Sequence, residues 1–310
     1  MNSNLILVVF SFTCSLILNY LFNQWFLKTR KLDKINSRSS HTVIATKSGG
    51  IAIFTSLFLI TLILYALEKE LYDFSILLPL AIIFIIGVYD DFYDADFKLK
   101  FFIQIIVAKL FIDQGFVIDS FYGLFGLYQI PYIVAQLTTT FVFLVIVNAY
   151  NFIDGIDGLA ISFAIFVLIT FWFLHDSSEL STLNLICFGS LVPLYYFNFK
   201  KENKIFIGDA GSLFLGSLMA LNVFSFLDQE SELILMDNHR LFMAIIILCY
   251  PLLDLIRVFV IRILNKKSPF RPDKNHLHHI LVHATKSHLA STFIIISINV
   301  ILLIITLYLT

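Results

Sequence analysis

The chain has 310 residues, 59% of them hydrophobic and only 14% charged, with a mean hydropathy of +0.88 and a net charge of −1. A soluble domain carries about 25% charged residues, so this composition excludes a soluble globular enzyme and leaves no room for a separate soluble domain. The net charge says little as a sum, because charge is segregated along the chain, and no nucleic-acid partner is expected.

Apolar runs that cross a bilayer as helices need roughly 17–25 residues. Ten such helices are predicted in one all-α polytopic membrane domain over residues 1–310, at about 4–27, 48–67, 74–89, 100–115, 132–148, 158–174, 183–199, 210–227, 239–262 and 289–309. The fourth is short, and Lys109 and Asp113 interrupt it. The first lacks a basic leader and a small-residue cleavage site, so it is expected to stay as a helix. Cys14, Cys187 and Cys249 are scattered among the spans, giving neither a disulfide framework nor a metal-ligand spacing.

Of the 21 Lys and Arg, 17 fall in the loops at 28–47, 90–100, 200–209 and 262–288, while the opposite loops hold only Lys69 and Arg240. The positive-inside rule puts the first set in the cytoplasm, and ten spans then leave both termini outside. Five polar islands lie on that same face, and charged clusters beside a membrane core mark functional sites.

In chain order, the first island carries Arg38, His41 and Lys47 before Gly49-Gly50. The second is Asp90-Asp91, followed by Lys98, Lys100 and Gln104. Adjacent carboxylates repel, so such a pair needs a compensating cation or proton. The third, Asn148-x-x-Asn151-x-x-Asp154-Gly-x-Asp157-Gly, is the most specific. Its amides and carboxylates suit a hard cation such as Mg²⁺ and phosphate oxygens, and its glycines allow close backbone approach. In the fourth, Gly208-Asp209-Ala-Gly211-Ser212, helix N-terminal N–H groups form an anion site. A metal bridging Asp209 and a pyrophosphate would resolve the repulsion there. The fifth holds Arg271, His276, His278 and His279, read as a loop folding over a nucleotide sugar and donating to its phosphate or sugar oxygens. Asp254 and Arg257 are expected to form an intrahelical pair.

With these islands in this order, the chain resembles the polyprenyl-phosphate N-acetylhexosamine-1-phosphate transferases, glycosyltransferase family 4, over essentially its whole length. The motifs are Asp90-Asp91 to Gln104, Asn148 to Ala160, Gly208-Asp209-x-Gly211-Ser212, Pro251-x-x-Asp254 and Pro272-Asp273-x-x-His276-Leu-His278-His279. The resemblance implies transfer of a HexNAc-1-phosphate from a UDP-sugar to undecaprenyl phosphate with release of UMP, at the cytoplasmic face of a bacterial cytoplasmic membrane. It implies Asn151 and Asp209 as Mg²⁺ ligands, with Mn²⁺ an acceptable substitute, and Asp90 and Asp91 as the pair that orients or deprotonates the lipid phosphate. It further implies Asp154 and Asp157 as catalytic and nucleotide-contacting groups, Phe206 as the ring stacked on uracil, and Arg38, His41, Lys47, Asn148, Arg271, His276, His278 and His279 as substrate contacts. A homodimer is allowed.

The His-x-His-His form resembles the branch that uses UDP-GlcNAc more than the branch that transfers phospho-MurNAc-pentapeptide. The first loop departs from the pattern: Ile44-Ala-Thr-Lys47 stands where the family often has a Pro-rich run. A nucleotide-sugar or anion transporter is the competing class. It would place ionisable residues near the midplane in repeated halves, and no repeat is visible here.

Overall fold

The computed structural model describes residues 3–33, 44–69, 72–123, 126, 128–174, 179–228, 237–268 and 275–309. Each of the ten predicted apolar runs is helical. These helices are α1 (Ser3–Lys28), α2 (Gly49–Ala66), α3 (Leu77–Tyr93), α4 (Phe97–Asp113), α5 (Tyr132–Phe152), α6 (Leu159–Leu174), α7 (Glu179–Asn198), α8 (Gly208–Asp228), the broken pair α9 (Asp237–Ile247) and α10 (Cys249–Leu264), and α12 (His288–Leu309). Among the described residues, seven helices are long and apolar enough to cross a membrane, or eight if the α9–α10 pair, bent by 74°, is one span. The chain is therefore a multi-pass membrane protein.

The difference from ten spans lies in α4 and α6. These two have 17 and 16 residues, at the short end of the roughly 17–25 that cross a bilayer, and α4 also carries Lys98, Lys100, Lys109 and Asp113. Two features were not expected. A short helix, α11 (Leu277–Thr285), occupies part of the last predicted loop. Two-residue strands β1 (Ala45–Thr46) and β2 (Lys204–Ile205) pair in parallel, with Ala45 opposite Lys204 and Thr46 opposite Ile205.

Helix α8 forms the axis of the bundle. It is buried along nearly its whole length and packs against α2, α3, α5, α6 and α9. Small residues permit this, because without side chains in the way helix backbones can approach closely. A Cβ on Gly87 of α3 would lie 2.6 Å from Cα of Ala210, and one on Gly216 would lie 3.0 Å from Cα of Val147 in α5. Gly50 of α2 lies so close to Gly211 that neither could carry a side chain. These contacts draw the C-terminal ends of α3 and α5 to the N-terminal end of α8. Asp90, Asp91, Asn148, Asn151 and Asp209 consequently share one end of the molecule.

The strand pair extends the same logic. Phe206 N–H donates to the carbonyl of Thr46 at 2.8 Å, and Gly49 and Gly50 N–H donate to Phe206 and Ile207 at 3.0 and 2.8 Å. Asn23 of α1 ties the pair down: it accepts from Thr46 Oγ1 at 2.9 Å and donates to the carbonyl of Asn203 at 3.1 Å. Lys47 and Phe206 are thereby carried to the end of α8.

Candidate active site

Asp90 and Asp91 are neighbours in the last turn of α3 and point to different partners, since successive helical residues are rotated by about 100°. Asp90 accepts from Lys100 Nζ and from the N–H of Ala95, both at 2.7 Å. Asp91, whose side chain is 2% exposed, accepts from the N–H groups of Asp209 and Ala210 at 3.0 and 2.9 Å and lies 3.4 Å from Lys47 Nζ. This corrects two expectations. The first N–H groups of α8 are not an open phosphate cradle, because Asp91 already caps them. The two aspartates also do not face one ligand together; the Gly87–Ala210 contact pulls Asp91 under α8.

Lys47 sits between three carboxylates, 3.4 Å from Asp91, 3.9 Å from Asp33 and 4.0 Å from Asp209. Burial opposes its charge, but Asp91, Asp209 and Asp33 together hold its pKa above the ordinary lysine value. Beside it, the amide nitrogen of Asn151 donates to Asp209 Oδ1 at 2.8 Å and to Ser212 Oγ at 2.7 Å. Both amide protons are thus committed, and Oδ1 is the acceptor that remains.

Asn148 is placed differently from its expected role. It exchanges hydrogen bonds with Gln104, donating at 2.8 Å and accepting at 3.5 Å. Its amide fastens α5 to α4 and is not turned toward a substrate.

The turn from α5 to α6 carries Asp154 to Gly158. Surrounding protein, followed by the carboxylates of Asp209 and Asp91, pushes the Asp154 carboxyl up to about 8. The residue is nevertheless exposed, so solvent weakens both the burial and the like-charge contributions, and the upward direction is what stands. Asp157 is the reverse case. It forms a close ion pair with Lys204 and lies 3.1 Å from His288 Nδ1. Burial works against its charge, yet hydrogen bonds from His288 and Lys204 hold it below the usual carboxylate range. Asp157 therefore anchors the turn to β2 and α12. The turn closes at Gly158, whose φ of +79° favours glycine and whose N–H donates to Asn198 Oδ1 at 2.7 Å.

The histidines also separate. His276 and His278 are 6% and 0% exposed, so the two do not line an open surface as a phosphate-binding loop would require. His279 is partly exposed and tilts against His278, with ring centroids 4.3 Å apart. Phe206 is half-buried beside the strand pair. Arg38, His41 and Arg271 lie outside the described residues.

Lys100, Gln104, Ser212, Lys204 and His288 join the site although none was assigned a role from sequence. Lys100 and Gln104 are one helical turn apart beyond the Asp90-Asp91 pair, a signal that was visible. His288 opens an apolar helix and gives no local sign of its partner.

Among the described residues no group of three or more His, Cys, Asp or Glu is arranged to hold a metal ion. Mg²⁺ seldom uses such a cage: it takes one or two carboxylates, keeps water and shares substrate phosphates. Asp209 and the remaining acceptor of Asn151 fit that smaller demand.

Several comparisons bear on this geometry. The sequence model of glycosyl transferase family 4 matches residues 73–226. A probable undecaprenyl-phosphate N-acetylglucosaminyl 1-phosphate transferase of Bacillus subtilis (strain 168) is 30% identical over 304 residues, covering 95% of this chain and 83% of that protein. An undecaprenyl-phosphate alpha-N-acetylglucosaminyl 1-phosphate transferase of Thermotoga maritima is 28% identical over 82% of this chain and 73% of its own length. A decaprenyl-phosphate N-acetylglucosaminephosphotransferase of Mycobacterium leprae is 28% identical over 81% of this chain and 70% of its own.

Proposed function

Given that the chain belongs to glycosyl transferase family 4, we propose that it transfers GlcNAc-1-phosphate from UDP-GlcNAc to undecaprenyl phosphate at the cytoplasmic face of a bacterial membrane, releasing UMP. The observation that carries this is the convergence of Asp90, Asp91, Asp154, Asp209 and Asn151, with Lys47 and Lys100 set among them. Carboxylates outnumber cations there, and the excess suits a site completed by a cation and a pyrophosphate.

The reaction makes one P–O bond and breaks another. An oxygen of the lipid phosphate attacks the phosphorus that carries the sugar, and the bond to the UMP oxygen breaks with its electron pair leaving on UMP. A phosphate monoester has a second pKa of about 6, so it is already a competent nucleophile near neutral pH. Single in-line displacement then needs positioning and charge compensation more than covalent catalysis. Lys47 and Lys100 supply positive charge at the acidic end, and Asp154 is the carboxylate open to the reacting groups. Phe206, half-buried beside the strand pair, would offer a ring to uracil. Asn151 and Asp209 would hold Mg²⁺, or Mn²⁺ in its place, which when bound neutralises charge on the pyrophosphate. Asp91 and Asp157 serve the scaffold, one capping α8 and the other tethering the turn.

The ionisable groups gather at one end of the helices, which speaks against a transporter. Purified protein supplied with undecaprenyl phosphate, Mg²⁺ and a mixture of UDP-sugars tests the assignment. Mass spectrometry should find undecaprenyl-pyrophosphoryl-GlcNAc and an equal amount of UMP. A product bearing another HexNAc would correct the sugar, and no lipid-linked product from any UDP-HexNAc would reject the reaction.

A further inference from the structure

The Pro251-x-x-Asp254 element has no part in the chemistry above, yet its carboxylate is engaged by three protein groups. Asp254 is 1% exposed in α10. Its Oδ2 is 2.7 Å from His276 Nδ1, and its Oδ1 accepts from the N–H of Leu277 at 2.8 Å and from Arg257 at 3.1 Å. Arg257 also donates to the carbonyl of Asn275. The second nitrogen of His276 faces Arg262 Nη2 at 3.4 Å. A guanidinium only donates, so His276 Nε2 accepts and Nδ1 donates toward Asp254.

Leu277 is the first residue of α11, a helix of nine residues. A helix so short is marginal alone, and its cap residue His276 makes no side-chain hydrogen bond to the helix. Asp254 satisfies an N–H at that end instead. One residue further on, His278 is fully buried, with Nδ1 3.2 Å from the hydroxyl of Tyr250, one turn before Asp254 in α10. Its Nε2 has no hydrogen-bond partner and abuts Gly155, where a Cβ would fall on that nitrogen. The far end of the same turn is held independently, at Asp157 by Lys204 and His288 and at Gly158 by Asn198.

We propose that Asp254 is a positioning residue: by seating the start of α11 it presses His278 onto Gly155 and so fixes the 154–158 turn that presents Asp154. The consequence for turnover rests on the transferase reading; the effect on the turn does not.

Asp254→Asn is the informative variant, because it keeps the volume and an acceptor for Leu277 but sets an amide donor against the Nδ1–H of His276. Its kcat should fall about tenfold to a hundredfold, the scale of losing a group that orients a reactive residue. The KM for UDP-GlcNAc should stay within about threefold, because donor contacts are not removed. Hydrogen exchange on the purified full chain should rise in 277–285 and in 154–158 and stay unchanged in α1 and α7. Gly155→Ala, which displaces His278 with the Asp254 cluster intact, should reproduce the loss of kcat. Unaltered exchange in 154–158, or a rise spread evenly through α1 and α7, would overturn the proposal. If the wild-type chain transferred no sugar, the exchange pattern alone would still decide the positioning role.

Discussion

Asp154 and Asp254 are two aspartates in opposite surroundings. Asp254 is buried and engaged by His276, Arg257 and the N–H of Leu277. Asp154 is exposed and feels Asp209, Asp91 and Asp157, opposed by Lys47. A carboxylate whose partners are all protein groups is part of the scaffold. One held among like charges waits for something the protein does not itself contain. The same contrast divides Asp91, which caps α8, from Asp209, whose compensation by Lys47 is distant.

The sharpest way to break this comparison is to remove one carboxylate from each group. Asp209→Ala should lower transfer by about a hundredfold or more, as expected for loss of a group at the reacting centre. It should not lower thermal stability, because it removes the repulsion that Asp209 exerts on Asp90, Asp91 and Asp154. Asp254→Ala should do the reverse in kind, costing about 3–5 kcal/mol of stability by leaving buried donors without their acceptor. Denaturation curves and turnover measured on both variants check the pair. Equal stability losses would erase the distinction.

A smaller effect is expected at the helix contact that gathers the acidic end. Gly87→Ala places a methyl group against the backbone of Ala210, and overpacking of that kind costs about 1–3 kcal/mol. Because the same contact brings Asp91 beneath α8, activity should decline along with stability. Full activity with intact stability would show that the close approach is dispensable.

The smallest effect is on pH dependence. Burial, followed by His279, pushes His278 down to about 3, whereas an unfolded histidine titrates near 6.5. The unfolded chain therefore binds a proton that the folded chain refuses, so this contribution to stability is present above about pH 6.5 and is lost as pH falls toward 3. Asp157 has a depressed value, and its contribution is present above the unfolded carboxylate value of about 3.9 and lost below it. Thermal stability should accordingly fall in two stages on acidification, and His278→Gln should flatten the first. An unchanged slope between pH 6.5 and 4 in that variant would contradict the buried, neutral assignment.

How much was legible follows the same division. Long apolar runs report helices directly, and all ten became helices. They do not report whether 16 or 17 residues suffice to cross a membrane, as α4 and α6 illustrate. The acidic and amide motifs identified the end where chemistry gathers, because unusual polar residues beside apolar segments need a reason. Sequence could not say which members of each motif would be spent on structure. Asp91 reads like Asp90, and Asn148 like Asn151, until packing brings Asp209 N–H to the one and Gln104 to the other. The adjacent histidines looked like ligand contacts for the same reason. Their burial depends on Tyr250, Asp254 and Gly155, each distant in sequence.

The central claim is that the acidic end moves a sugar together with the phosphate attached to it. UDP-GlcNAc carrying ³²P in the phosphate next to the sugar, incubated with the protein, Mg²⁺ and undecaprenyl phosphate, tests this most directly. The label should enter the lipid fraction while unlabelled UMP is released. Label left in soluble UDP, or absent from the lipid, would contradict the account.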